Sequence, residues 1–154
     1  MGLVTKHLSQ YNDKTLLELP LKGFGGKFFF QQNEGEFIGF IAGGVGITPL
    51  LAQTNCLDLA RRQICWTVKA EDLGLVLDSF DRAPALNRHT KLFAIGDVVP
   101  QTEDNLLKLE AMDVILKRRR IMAADLQLGT ARDSMPTEWY ICTGAGLRGT
   151  LLIG

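Results

Sequence analysis

The sequence predicts an α/β protein, a parallel sheet carrying helices on both faces in three layers. Short apolar, β-prone runs alternate along the chain with stretches of helical spacing, and strands separated by helical crossovers pair most economically in parallel. One such run, Phe37–Ala42, ends in the glycines Gly43, Gly44 and Gly46, and Thr48-Pro49 then opens a helical stretch. With 154 residues, 46% of them apolar and 22% charged, the chain has the size and composition of one domain around one core.

Residues 2–10 read as a short helix and Thr15–Leu21 as a loosely alternating strand, followed by the turn Gly23-Phe24-Gly25-Gly26 and the apolar Phe28-Phe29-Phe30. The first sheet strand lies within Phe37–Ala42. After Pro49 the pattern predicts a helix running to about Arg62, with Leu50, Leu51, Thr54 and Leu57 toward the core and Arg61 and Arg62 near its negative end. Ile64–Val68 is the second strand, and Leu73, Val76, Leu77 and Phe80 share one face of the following helix. Pro84 and Asn87 mark a loop before the third strand, Lys91–Ile95, which exits at Gly96-Asp97. Residues 103–116 have helical spacing, 121–128 make a shorter helical piece stopped by Gly129, Trp139–Cys142 is the last strand, and 144–153 turn into a closing helix.

The glycine loop is the chemically informative stretch. A strand entering a helix through glycines directs free N–H groups and the positive end of a helix at one point, an arrangement suited to phosphate or pyrophosphate; a tight turn without ligand has the same composition. Thr48 is placed as a helix cap and Pro49 at the first helical position. The loop lacks the Lys-Ser/Thr of a P-loop and the G-x-G-x-x-G order of the common dinucleotide fingerprint.

The run Ala42-Gly43-Gly44-Val45-Gly46-Ile47-Thr48-Pro49-Leu50-Leu51 resembles the pyridine-nucleotide half of the ferredoxin–NADP reductase superfamily, in which an Ala-Gly-Gly-x-Gly-Ile-Thr-Pro loop receives the pyrophosphate of NAD(P)H. Cys142-Thr143-Gly144 resembles that family's Cys-Gly-Pro motif near the nicotinamide, with a threonine where the family has glycine. The segment Gly2–Leu8 looks like the helix start that holds the FAD diphosphate, with Thr5 as the hydroxyl residue, and Leu17–Phe28 looks like the last strand and turn of a flavin barrel. The resemblance therefore implies a Rossmann-like NAD(P)-binding domain over residues 35–154 and a remnant of a flavin-binding barrel over 1–34. The family's Arg-x-Tyr-Ser/Thr platform for the isoalloxazine has no counterpart here, so FAD is expected to bind weakly or not at all.

In an open parallel sheet, ligands sit beyond the carboxyl ends of the strands, which selects Gly43–Thr48, Lys69–Asp72, Asp97–Val99 and Cys142–Gly146. The resemblance assigns cofactor contacts to Gly43, Gly44, Val45, Gly46, Ile47, Thr48, Pro49, Lys69, Cys142, Thr143, Gly144 and Thr5. Cys142 reads either as a residue beside the nicotinamide or as a small buried apolar group. Lys69 reads as a partner for a 2′-phosphate or as a solvated lysine, and Asp97 as an acid or base or as a turn former. Lys117-Arg118-Arg119-Arg120, the one dense basic run, reads as a solvated face or as a contact for phosphate or an acidic partner.

Seventeen basic residues balance seventeen acidic ones, so no net field draws the chain to nucleic acid or to a membrane surface. Cys56, Cys65 and Cys142 show no C-x-x-C spacing and read as reduced thiols in a cytoplasmic protein. His7 and His89 have no metal-ligand spacing, so no metal is expected. Two functions follow. One is an oxidoreductase module that binds NAD(P)H for hydride transfer to a flavin, with a second copy or a separate flavin domain as partner. The other is a flavin-less derivative acting as a non-redox isomerase or cyclase in a biosynthetic pathway, with Thr5, His7, Thr48, Asp97 and Cys142 as its polar groups. A shortened gene product without activity of its own is the third expectation.

Overall fold

A computed structural model of the chain describes residues 29–97, 99–126, 136 and 138–144. Among the described residues five strands form one wholly parallel sheet: β1 (Ile38–Gly43), β2 (Arg62–Lys69), β3 (Thr90–Ile95), β4 (Ile115–Lys117) and β5 (Glu138–Cys142). Their order is β4-β3-β2-β1-β5. The chain steps outward one neighbour at a time from β1 to β4, then returns across the sheet to lay β5 on the other side of β1.

That order dictates where the helices go. Right-handed crossovers that all step the same way place their connections on the same face. The α-helices α1 (Thr48–Leu51), α2 (Leu73–Arg82) and α3 (Pro100–Glu110) belong to those steps. The alternate sheet residues Phe40, Ala42, Ile64, Trp66, Val68, Leu92 and Ala94 form one core with Leu50, Val76, Phe80, Leu106 and Leu109 from the helices. The return from β4 to β5 covers the opposite face, where Ile41, Cys65 and Phe93 pack with Ile121, Leu126 and Trp139. Among the described residues this second layer is a 3-10 turn, Ala123–Leu126, in place of the longer helical piece expected over 121–128. Each large side chain fully buried in these cores, such as Trp66 or Phe93, contributes about 1.5–3 kcal/mol.

Further elements differ from the sequence reading. The helix after Pro49 stops at Leu51, and the 3-10 turns Thr54–Cys56 and Leu59–Arg61 fill the space before β2. Polar side chains compete for its backbone: Gln53 Nε2 donates to the Pro49 carbonyl, Thr54 Oγ1 donates to the Leu51 carbonyl at 3.2 Å, and Asp58 caps the next turn at the Ala60 N–H. Thr48 is not a cap, because its own φ and ψ (−57°, −39°) are helical. It continues a 3-10 turn, Gly44–Ile47, that begins directly at the end of β1. Finally, the helix expected over 103–116 runs from Pro100 to Glu110, and Ile115–Lys117 leaves it to pair with Lys91–Phe93 as an edge strand. The β-branched Val114-Ile115 pair favours that extended exit. The loop at Pro84 is a 3-10 helix, Pro84–His89.

Phe30, from the front of the chain, is buried against the sheet, with its ring 5.3 Å from Phe40 and 4.9 Å from Tyr140. The elements read over 2–28, with Thr5 and His7, and the closing helix read beyond Gly144 lie outside the described residues.

Candidate functional site

The strand order reverses between β1 and β5, so the carboxyl ends of these two strands border the crevice that open α/β sheets use for ligands. Gly43–Pro49 leaves β1 there and Cys142–Gly144 leaves β5, so the structure brings those two groups of candidate residues together. It brings them into closer contact than the sequence suggests. A Cβ on Gly46 would collide with the Cys142 carbonyl oxygen, and one on Gly43 would lie 3.2 Å from Cβ of Thr143. Those two glycines therefore admit the neighbouring strand exit, and the space their missing side chains leave is occupied by protein. Gly39 does the same four residues before Gly43, where a Cβ would strike the Trp139 ring.

Gly44 is different. Its φ is +53°, a left-handed conformation that side chains disfavour, and among the described residues no atom beyond its chain neighbours lies within 4 Å of where its Cβ would be. Its carbonyl accepts a hydrogen bond of 2.8 Å from the buried Trp66 Nε1, which fixes the loop from beneath. In a 3-10 turn the bonds run from residue i+3 back to residue i, as from the Thr48 N–H to the Val45 carbonyl, so the N–H groups of Gly44 and Val45 at its start have no acceptor within it. Val45 is 70% exposed beside them. Among the described residues, the open part of the loop is therefore narrower than Gly43–Thr48 and centres on Gly44-Val45. Ile47 is core, and Thr48 is exposed. Cys142 is half-buried, with the Gly46 backbone and the main apolar cluster as neighbours.

A second group of candidates gathers at the carboxyl ends of β2, β3 and β4. Lys69 and Asp97 line a cavity of about 580 Å³ with Glu71, Gly96 and the three arginines Arg118, Arg119 and Arg120. Lys69 is exposed and paired with Glu71 at 2.9 Å, which raises its pKa. Gly96, at φ +90°, makes the turn that sets Asp97 on the rim, where Asp97 is exposed.

Arg119 is held there by Asp125, whose contribution the sequence did not suggest. Its carboxylate is nearly fully buried and accepts two hydrogen bonds of 2.6 Å from Arg119, one of 2.6 Å from Lys117 and one of 2.9 Å from the Met122 N–H. Arg119 first, then Lys117 and the Met122 amide, hold its pKa well below the usual carboxylate range against the opposing cost of burial. Its backbone carbonyl accepts from Gln63 Nε2 at 3.0 Å and Lys91 Nζ at 3.1 Å. Alternate members of the basic run, Lys117 and Arg119, are thus anchored, both also lying over the Phe93 ring. Arg118 and Arg120, the members between, are exposed and carry no ion pair among the described residues.

Cys65 lies beneath the sheet on the second face, where burial raises its thiol pKa to about 11, so it is a packing residue and no nucleophile. Among the described residues no cluster of His, Cys, Asp or Glu is arranged to hold a metal ion, and no helix is long and apolar enough to cross a membrane. Compared with family models, curated proteins and solved structures, the chain gives no match.

Proposed function

We propose that this chain is a nucleotide-binding oxidoreductase module of the ferredoxin reductase type, taking NAD(P)H across the carboxyl edge of its sheet. The observation that carries the reading is the meeting of the Gly44-Val45 turn with the Cys142–Gly144 exit where the strand order reverses. The residues fit a pyrophosphate at one place. Gly44 offers open space and a left-handed turn, and two N–H groups start the 3-10 helix beside it. Four backbone spacings, roughly 19 Å, separate β5 from β4, so an extended dinucleotide lying across the strand ends would reach from Cys142 to the arginine-lined cavity.

The protein's own part is binding and orientation. Trp66 holds the Gly44 carbonyl and so fixes the turn, and the Cys142–Thr143 segment packed on Gly46 and Gly43 fixes one wall of the crevice. Thr143 adds a Cβ beside Gly43 on that wall, which narrows the approach for a flat ring. A bound nicotinamide would supply the hydride, and its acceptor would be a flavin held by a separate flavin domain.

Calorimetric titration of the full chain with NADH and with NADPH tests this. Saturable binding is expected, weakened at least tenfold by Val45→Asp, which sets a carboxylate at the proposed pyrophosphate position from an exposed side chain. Absence of heat with both nucleotides at millimolar concentration would falsify the reading.

A further inference from the structure

The cavity at the ends of β2, β3 and β4 has a composition that the dinucleotide reading alone does not require. We infer that it binds a phosphate monoester through Arg118 and Arg120, which Asp125 holds in place by clamping the alternate basic residues Lys117 and Arg119. The cavity is roomy enough for more than a phosphate group and is open at the strand ends. Its charges are not equivalent. The Lys69 ammonium is paired with Glu71 and the Arg119 guanidinium with Asp125, so each of these two cations is already matched. Arg118 and Arg120 share the lining with the one remaining carboxylate, Asp97, and carry no ion pair among the described residues. Guanidinium groups match phosphate oxygens in pairs of parallel N–H bonds, and a doubly charged monoester suits two of them better than a singly charged diester does.

The clamp explains why the arginines are available. β4 is a three-residue edge strand, and the segment after it is held by Asp125, which ties Lys117 and Arg119 to Gln63 and Lys91 of the central strands. Residues 118 and 119 bend out of the strand, and among the described residues the side chains of Arg118 and Arg120 take no part in the clamp while lying on the cavity lining. Asp125 acts through the arginines and is a positioning residue.

This inference rests in part on the proposed function, because the monoester is either the 2′-phosphate of NADPH or a phosphate on an unrelated metabolite. Calorimetry of the full chain in a phosphate-free buffer separates the cases, using NADPH, NADH, 2′-AMP and inorganic phosphate as probes. Expected are NADPH binding at least tenfold tighter than NADH, loss of that difference in Arg118→Gln/Arg120→Gln, and tighter inorganic phosphate binding in Asp97→Asn. Asp125→Asn should weaken 2′-AMP several-fold while Arg118→Lys/Arg120→Lys keeps part of the affinity, a graded result that lost folding would not give. Equal binding of NADPH and NADH, with 2′-AMP and phosphate silent, overturns the inference and leaves the dinucleotide reading standing. Arginine-dependent binding of 2′-AMP or phosphate without either dinucleotide supports the cavity and removes the dinucleotide reading. Silence of all four probes overturns both.

Discussion

The indole N–H of Trp66, in the middle of β2, donates to the carbonyl of Gly44 at 2.8 Å, so the centre of the sheet holds the turn at the end of its neighbouring strand. Trp66 is fully buried and packs edge-on to Phe80 of α2, which leaves its ring no alternative position. A surface turn is thus given the rigidity of the core.

Replacing Trp66 by Phe keeps an aromatic ring, removes the hydrogen bond and leaves a small void. The loss should be about 2–3 kcal/mol, a fall in Tm of roughly 5–10 °C for a chain of this size. Thermal unfolding followed by circular dichroism measures it. If Trp66→Phe melts with the wild type, the indole does not anchor the turn.

The loop glycines should separate by mechanism. Gly46→Ala drives a methyl group into the Cys142 backbone, which can give way only if β5 shifts against β1, and should cost about 3 kcal/mol. Gly44→Ala meets open space and is penalised by its positive φ alone, about 1 kcal/mol. Urea midpoints of the two variants give the order directly, and Gly44→Ala coming out the less stable would contradict the packing described at Gly46.

Asp125 predicts a pH dependence. Its folded pKa is lowered, so the unfolded chain takes up its proton first as the solution is acidified, and stability falls with falling pH. The contribution is complete above the ordinary carboxylate value of about 4 and disappears as pH drops through the lowered folded value. Asp125→Asn should cost about 2–3 kcal/mol at neutral pH, less than a fully buried pair because Lys117 and Arg119 are partly exposed. The gap between variant and wild type should close between about pH 4 and the acid limit of measurement. Equal gaps at pH 7 and pH 3 would show that the carboxylate's charge is not what matters.

Strands β1, β2, β3 and β5 are legible in the sequence because each contains an apolar, β-prone run, and α2 because Leu73, Val76 and Phe80 share one face. The edge strand is not, because Ile115 and Leu116 also continue the spacing of Leu106 and Leu109, and nothing local says that the chain turns at Ala111–Asp113. The long helix after Pro49 fails for a similar reason. Spacing sees Leu50, Leu51, Thr54 and Leu57, whereas the deciding groups are the side chains of Gln53 and Thr54, which take the helix's carbonyls. At the candidate site the glycine turn and the cysteine strand exit are readable as motifs. That Gly43 and Gly46 accommodate Thr143 and Cys142 is a fact about residues about a hundred positions apart, and the partition of Lys117–Arg120 into anchored and free members depends on Asp125. A visible hint was the presence of that one acid shortly after a basic run.

The placement of β5 has a consequence for the chain as it leaves the ribosome. The first four strands can assemble as soon as they are made, but the flank of β1 that β5 will occupy must wait until residue 142 has been synthesised. Throughout that interval a hydrogen-bonding edge lies bare at what will become the interior, with a notch at Gly39 shaped for an indole that does not yet exist. Nascent chains stalled before Trp139 should therefore be the ones that associate with each other.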